Sequence, residues 1–361
     1  MPDGCGDGVV QSPEECDDGN TIGDDKCAND CTFYVPPVCP DEYVVCDDEL
    51  DLAAKDDPQS ALAAMGVCNQ LGGDSVLVTD FEFAVPDGLS WQVARGFGSH
   101  EDTPGHLLFS PREGEAMLLI TTGQISAPNA DGVVIEADNS QGLNNDNGNP
   151  DMPDLLPPPL HYEVGSNGGA GGTPFAACDG VNDCSDTLYE QWVEIGNSDP
   201  NDQLFFRFEA TVPLGTRGYS FDLVFCSAEW PNWVDAQYND VFIGWQADPT
   251  AGGYTGSLAY VEYAALPDEL LPVTVTGLDP YFMSRGYKQN APELAGTGFN
   301  TNACTEWLHV RGGAQPGAHL TLGFYLTDMG DSILASMAIL DNFRWDCDGC
   351  ELAEDCGIQV D

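Results

Sequence analysis

Hydrophobic and polar residues alternate along much of the chain after residue 75. In the segment QLFFRFEATV, for example, Leu204, Phe206 and Phe208 alternate with Arg207 and Glu209. The segments GYSFDLVFCS and HLTLGFYLT repeat this pattern. A period of two is typical of a strand with one buried face. About a dozen such segments, separated by loops rich in Gly, Pro, Asn and Asp, predict an all-β fold, an antiparallel, jelly-roll-like β-sandwich.

Helical signals are concentrated in one segment, DPQSALAAMGVC, residues 57–68. Asp57 can cap the first turn and Pro58 fits within it. We therefore predict one short helix beside the sandwich. The predicted segments are residues 1–34, a small disulfide-rich module; 35–73, a Pro-rich hinge and the helix; 74–346, the sandwich; and 347–361, a disulfide-bonded tail.

The charge of the chain is strongly unbalanced, with 60 Asp and Glu against 10 Lys and Arg and a formal net charge of −50. Repulsion of this size excludes nucleic acid and acidic membrane surfaces as partners. The chain is 42% hydrophobic, which is enough for a large core. Its apolar runs are far shorter than the ~18 residues of a membrane-spanning helix. A salt-adapted surface, a set of cation sites and simple solubility each explain the charge, and the first two are compatible.

The 14 cysteines lie mostly in loops rich in Gly and Asp, which predicts disulfides and an extracellular location. A zinc site at CDGC lacks the second Cys or His pair that it needs. We expect the first four cysteines to pair among themselves, with three possible connectivities. We also expect one bond each within the pairs at 178 and 184 and at 226 and 304. Three cysteines near the helix and three in the tail then remain, so at least one bond joins the two groups. The cysteines are Cys5, Cys16, Cys27, Cys31, Cys39, Cys46, Cys68, Cys178, Cys184, Cys226, Cys304, Cys347, Cys350 and Cys356.

Two groups of acidic residues are candidate Ca²⁺ sites, because Ca²⁺ takes six to eight oxygen ligands. The first group combines strand-end carboxylates from two distant segments, and its alternative is that these residues cap turns. The second group lies in the N-terminal module, where repulsion favours a bound cation. The first group is Glu229, Asn239, Asp240, Asp328, Asp331 and Asp341; the second is Asp7, Asp17, Asp18, Asn20 and Asp24.

Aromatic residues in AEWPNW and the segment after it form a candidate glycan-stacking platform of Trp230, Trp233 and Tyr238. Core packing at one end of the sandwich is the alternative. Enzyme signatures such as HExxH and GxSxG do not occur. The five histidines are scattered along the sequence, so a Ser-His-Asp triad requires a convergence that no motif indicates. We therefore expect no catalysis.

Two parts of the chain resemble known families. CGDGVVQSPEECDDGNTIGDDKCANDC resembles a cysteine-rich repeat of secreted myxobacterial proteins, whose hallmark is CGDG followed by ECDDGN. FDLVFCSAEWPNWVDAQYNDVF and LGFYLTDMGDSILASMAILDNFRW are similar to the choice-of-anchor L domain of bacterial surface proteins. In that comparison Trp230 stands where Tyr is usual. The resemblance implies a β-rich extracellular module without established catalysis.

The expected function is therefore that of a secreted or cell-surface bacterial protein with a structural or adhesive role, stabilised by Ca²⁺ and disulfides. Its partner is expected to be a surface glycan, another surface protein or copies of itself. The first alternative is a lectin-like carbohydrate-binding protein, and the second alternative is a secreted hydrolase.

Overall fold

The computed structural model divides the chain into two compact units, Met1–Cys39 and Pro40–Asp361. No helix in the part of the chain that it describes is long and apolar enough to cross a membrane. The described residues are 5–12, 14–20, 27, 31–32, 45, 47, 50, 59–67, 78–85, 88–138, 156–162, 182–183, 188, 192, 200–250, 253–262, 270–350 and 356–359.

Two disulfides hold the smaller unit together. Cys16–Cys27 lies inside the loop that Cys5–Cys31 closes. The prediction that these four cysteines pair among themselves is confirmed, and the nested connectivity is one of the three that the sequence allowed. Because Cys16, Cys27 and Cys31 are buried, the sulfur atoms take the place of an apolar core.

The larger unit is built mainly from strands. In chain order they are β1 (Val78–Ala84), β2 (Trp91–Ala94), β3 (Gly96–Thr103), β4 (His106–Phe109), β5 (Met117–Thr121), β6 (Gln124–Ile125), β7 (Val133–Val134), β8 (Ala137–Asp138), β9 (Asn182–Asp183), β10 (Pro200–Thr211), β11 (Gly218–Ser227), β12 (Val241–Ala247), β13 (Tyr254–Ser257), β14 (Tyr260–Glu262), β15 (Leu270–Pro272), β16 (Ala303–Cys304), β17 (Leu308–Gly313), β18 (His319–Met329), β19 (Ser336–Asp346) and β20 (Gly357–Gln359).

These strands form two large sheets and two small ones. One sheet has the order β1-β10-β18-β12-β13-β9, and the other has the order β15-β14-β20-β17-β11-β19-β5-β2 with β16 beside β11. The small sheets are β4-β3-β7 and β6-β8. Neighbouring strands are antiparallel except in the pairs β13–β9, β14–β20 and β3–β7. The predicted antiparallel sandwich is confirmed.

Aromatic side chains fill the space between the two large sheets. The ring of Phe324 on β18 stacks on Phe206 of β10, with centroids 4.7 Å apart. It also meets Phe221 of β11, in the opposite sheet, edge to face at 5.3 Å. The alternation that predicted the strands thus places every second residue in one shared core.

Each large sheet also has a second buried layer. On β11, every residue from Gly218 to Ser227 is buried, because Val224 and Cys226 face a separate apolar cluster behind the sheet. On β10, Phe205 points away from the main core and packs with Trp192 and Trp245. The predicted half-buried strands are therefore covered on both faces over part of their length.

Two short helices occur among the described residues. The predicted helix is confirmed as α1 (Gln59–Ala64), with Ala61 and Leu62 buried. The expectation of a single helix is wrong, because α2 (Asp279–Ser284) follows the loop after β15. Pro280 stands in the first turn of α2. A proline at the start of a helix is also the sequence signal that Pro58 gave for the predicted helix.

All nine described cysteines are disulfide-bonded. The predicted bond Cys226–Cys304 is confirmed, and Cys350–Cys356 closes a loop in the tail. Cys347 is bonded to a partner outside the described residues. Cys39, Cys46, Cys68, Cys178 and Cys184 also lie outside them, so the predicted bond between the tail and the helical segment stays a prediction.

Candidate metal centre

Four carboxylates meet where strands of the two large sheets end. Glu229 lies two residues beyond β11, and Asp240 directly precedes β12. Asp328 is the next-to-last residue of β18, and Asp331 lies in the turn between β18 and β19. Since β12 and β18 pair with Val241 opposite Thr327, Asp240 and Asp328 are brought side by side. The topology thus joins two segments that are about a hundred residues apart.

The carboxylate oxygens are close enough to share an ion. One oxygen each from Glu229, Asp328 and Asp331 lies within 4.8 Å of the other two. The backbone N–H of Asp240 donates to Glu229 Oε2 at 3.4 Å. The N–H of Met329 donates to Asp240 Oδ1 at 3.1 Å. We call Glu229, Asp240, Asp328 and Asp331 the acidic cluster.

Burial makes the ionised form of this cluster energetically unfavourable unless a positive charge lies nearby. Glu229, Asp240 and Asp328 are each no more than 1% exposed. Asp240 Oδ2 and Asp328 Oδ1 are shielded from solvent and accept no hydrogen bond of good geometry from the described residues, although the two carboxyl groups lie close enough to share a proton and the Ser336 hydroxyl lies beside Asp240. None of the ion pairs between described residues involves a member of the cluster. Ionised carboxylates in such surroundings need a cation or a proton.

The pKa values of these carboxyl groups are shifted upward, as expected when burial disfavours their ionised form. Burial raises the pKa of Asp240 to about 7. Burial, reinforced by the charge of neighbouring carboxylates, holds the pKa of Glu229 and of Asp328 well above their ordinary range. The pKa of Asp331, which is only partly buried, is also raised by burial. Without a metal ion the cluster therefore retains protons at neutral pH.

The donor set fits a hard divalent cation. It consists of carboxylate oxygens, which Ca²⁺ binds at about 2.3–2.6 Å. Two oxygens on opposite sides of one Ca²⁺ are at most about 5 Å apart, which the observed spacing satisfies. A bound Ca²⁺ would supply partners for the two orphaned oxygens and neutralise charge that no side chain of the described structure neutralises.

Two further residues shape the cluster. Asn239 Oδ1, which the sequence suggested as a ligand, accepts the backbone N–H of Thr276 at 2.7 Å and so fixes the strand end. Gly330 has φ +91°, and a Cβ there would lie 2.9 Å from the carbonyl oxygen of Gln237. Glycine therefore allows the turn carrying Asp331 to lie against the segment before Asp240.

The grouping of Asp341 with this cluster is wrong. Asp341 pairs with Asp222 in the middle of β11, five residues along β19 from Ser336, which is about 17 Å. Its Oδ2 accepts the backbone N–H of Arg112 at 2.6 Å. Burial raises the pKa of Asp341 to about 8. This carboxyl group holds the loop before β5 instead of joining the cluster.

Asp222 is another buried carboxylate, and the sequence did not predict it as part of a site. Its oxygens accept from His309 Nδ1 at 2.7 Å, Asn342 Nδ2 at 2.9 Å and Arg112 Nε at 3.4 Å. Burial raises the pKa of Asp222, but these donors outweigh it and the pKa lies below its ordinary value. Asp222 and His309 stand opposite each other on β11 and β17, a pairing that no local sequence pattern indicates.

The predicted aromatic platform is reduced by one member. Trp230 is 3% exposed, its Nε1 donates to Asp279 Oδ1 at 2.8 Å, and its ring packs beside Phe282. The alternative of core packing therefore holds for Trp230. Trp233 is 40% exposed and meets Tyr238 edge to face at 5.0 Å.

Backbone N–H groups compensate the central carboxylate of the N-terminal module. Asp17 accepts the N–H groups of Gly6, Asp7, Gly8 and Gly19 at 2.8–3.2 Å. Burial raises the pKa of Asp17, but these four donors outweigh it and leave the pKa below its ordinary value. Asp7 Oδ1 and Asp18 Oδ1 each accept an N–H two residues ahead, from Val9 and Asn20. Asp24 lies outside the described residues.

A third acid of this module, Glu14, lies near Asp17 and Cys31. Cys31 is no ligand for a metal there, because its sulfur is in a disulfide. The carboxylates of the module accept N–H groups in tight turns, whereas Glu14 Oε1 and Asp18 Oδ2 are shielded from solvent without a partner among the described residues. The cation site predicted for this module stays a prediction.

Comparisons with family models, with curated proteins and with solved structures found no match to this chain.

Proposed function

We propose that this chain is an extracellular β-sandwich protein that binds Ca²⁺ in the acidic cluster and has a structural or adhesive role. The observation that carries the proposal is the orphaned oxygen pair, Asp240 Oδ2 and Asp328 Oδ1, inside a buried group of carboxylates. An ion there would join the end of β18, in one large sheet, to the end of β11, in the other. Ca²⁺ would thus fasten the two layers of the sandwich at one end.

Disulfides support the extracellular part of the proposal. All nine described cysteines are oxidised, and such bonds persist outside the reducing cytosol. Ca²⁺ sites of extracellular modules have Kd values of about 10⁻⁴–10⁻³ M, which suits a site made of a few carboxylates.

A binding role fits the exposed surface beside the cluster. Trp233 and Tyr238 lie on the segment between Glu229 and Asp240, so an ion bound there would fix the backbone that presents them. The partner is proposed to be a surface glycan, another surface protein or a second copy of this chain.

Thermal unfolding of the purified protein tests the calcium proposal. At about 10 mM Ca²⁺, roughly 10 to 100 times such a Kd, a ligand of the native state adds about 1.4–2.7 kcal/mol to the free energy of unfolding. For a chain of this size we expect Ca²⁺ at this concentration to raise the melting midpoint by roughly 3–5 °C over a chelated sample. Mg²⁺ at the same concentration should do less, because Mg²⁺ dehydrates reluctantly. A midpoint that is the same in chelator and in millimolar Ca²⁺ would sink the proposal.

The lectin-like alternative is favoured by one observation, the exposure of Trp233. It predicts that Trp233→Ala abolishes glycan binding while leaving the calcium-dependent melting midpoint unchanged. Glycan-array binding that is equal for the wild type and the variant excludes this platform.

A further inference from the structure

A short hairpin outside the acidic cluster brings together three residues that no sequence motif connects. Strands β3 and β4 are joined by Pro104 and Gly105, with Thr103 opposite His106. Gly105 has φ +82°, and its N–H donates to Glu101 Oε2 at 2.9 Å.

The ring of His106 is hydrogen-bonded on both sides. Its Nδ1 lies 2.8 Å from Asp102 Oδ1, and its Nε2 lies 3.1 Å from Ser110 Oγ. A carboxylate on Nδ1 holds the proton there, which leaves Nε2 free to accept the proton of a hydroxyl group. The hydrogen bond from His106 also lowers the pKa of Asp102, so this carboxylate is ionised at neutral pH.

We propose that Ser110, His106 and Asp102 form an acyl-transfer site on this hairpin, with Ser110 as the nucleophile, His106 as the general base and Asp102 as a positioning residue. The order of contacts, carboxylate to Nδ1 and Nε2 to hydroxyl, is the one by which serine hydrolases activate their nucleophile. The same arrangement recurs on unrelated folds and in different chain orders, so geometry and not sequence order defines it.

The reaction conserves atoms and charge. Ser110 Oγ attacks the carbonyl carbon of an ester while its proton passes to His106 Nε2. The bond between the carbonyl carbon and the leaving oxygen then breaks, and His106 returns the proton to that oxygen. The acyl group is left on Ser110. A water molecule then attacks the acyl carbon while its proton passes to His106 Nε2; the bond to Ser110 Oγ breaks, His106 returns the proton to Oγ, and the carboxylic acid leaves.

The surroundings define the class of substrate. The side chains of His106 and Asp102 are 58% and 40% exposed, so the site is open and sets no limit on the alcohol part. Residue 111 is proline, which has no N–H to stabilise the oxyanion beside Ser110. Loss of one such donor costs about 10²–10³ in rate. The site therefore acts on activated esters, whose leaving groups need little help.

Acetylation by p-nitrophenyl acetate tests the proposal. The full-length protein should release nitrophenolate in a burst and carry an acetyl group on Ser110 in peptide mapping. Ser110→Ala and His106→Gln should each reduce the burst at least tenfold. Asp102→Asn should lower the acylation rate without changing the apparent KM, because Asp102 does not touch the substrate.

Ser126→Ala is the matched control, since Ser126 is exposed and its Oγ donates to the carbonyl oxygen of Glu136. This variant should keep the full burst, and all variants should melt like the wild type. Acetyl groups found only on other residues, or a burst that survives Ser110→Ala or His106→Gln, would overturn the proposal.

Discussion

Two buried carboxylates, one in the middle of β11 and one just beyond its end, have opposite environments. Asp222, in the middle of β11, receives three side-chain donors, and its pKa is lowered. Glu229, just beyond the end of β11, faces Asp240, Asp328 and Asp331, and its pKa is raised. Both residues are almost inaccessible to solvent, so burial alone does not separate them. The difference lies in the charge of the neighbours.

The comparison shows how a chain with a charge of −50 can bury acids at all. With only 10 Lys and Arg residues it cannot provide a cation for each buried carboxylate. Around Asp222 it uses Arg112, His309 and an amide; in the N-terminal module it uses backbone N–H groups on Asp17. In the acidic cluster the described structure provides no cationic partner, so its carboxyl groups either keep protons or, as we propose, bind a metal ion from outside.

The largest effect is expected from removing Asp222. Asp222→Ala takes away the common acceptor of His309, Asn342 and Arg112 and should lower the free energy of unfolding by about 3 kcal/mol. Denaturation by urea in the presence and absence of Ca²⁺ measures it. The calcium-dependent gain in stability should be unchanged, because Asp222 lies outside the acidic cluster. A gain that disappears with Asp222 would mean that the two regions are one system.

A smaller effect, present only with Ca²⁺, is expected from Asp328→Asn. In chelator at neutral pH the raised pKa keeps Asp328 protonated, so this uncharged substitution should leave the protein about as stable as the wild type. With saturating Ca²⁺ the variant should instead be less stable by about 2 kcal/mol, because it loses a ligand. Melting curves of the wild type and the variant in both buffers show whether the difference in stability appears only when Ca²⁺ is present. Destabilisation of equal size in both would indicate a structural role without an ion.

The pH dependence of stability should separate the two regions. The raised pKa of Asp240, about 7, means that the metal-free protein loses stability as the pH rises from about 4 to about 7. The lowered pKa of Asp222 acts in the opposite direction, since its contribution is present above its ordinary pKa and lost as the pH falls through the lowered one.

The difference in the free energy of unfolding between the wild type and each variant, measured across pH, isolates the contribution of the substituted carboxyl group. In metal-free buffer, Asp240→Asn should gain stability relative to the wild type as the pH rises, whereas Asp222→Asn should lose it. Parallel curves for the two variants would contradict the assigned environments.

Much of the sandwich could be predicted because its long strands alternate. In β10, β11 and β18 every second residue enters the shared core, so the sequence itself carries the strand period. The hairpin of β3 and β4 was missed, since GFGSHEDTPGHLLF has glycines and charged residues where alternation is needed. Helix α2 was missed because DPYFMS contains Tyr and Phe, which favour strands, whereas α1, of equal length, is rich in the helix formers Ala and Leu.

The sequence predicted the acidic cluster only because its members stand at the ends of strands, which can be located from the alternation of residues. Glu229, Asp240, Asp328 and Asp331 stand beside strands, and their convergence follows once those strands pair. Asp341 was misplaced because sequence does not reveal the register of β19 against β11. Long-range partners, such as Asp279 for the indole of Trp230, leave no local pattern either.

Counting bound Ca²⁺ by native mass spectrometry tests the central claim most directly. The double variant Asp240→Asn/Asp328→Asn removes the charges of both orphaned oxygens, and Asp222→Asn is its matched control. We expect the wild type and the control to bind equal numbers of ions at millimolar Ca²⁺, and the double variant to bind fewer. Equal numbers in all three proteins would contradict a calcium site in the acidic cluster.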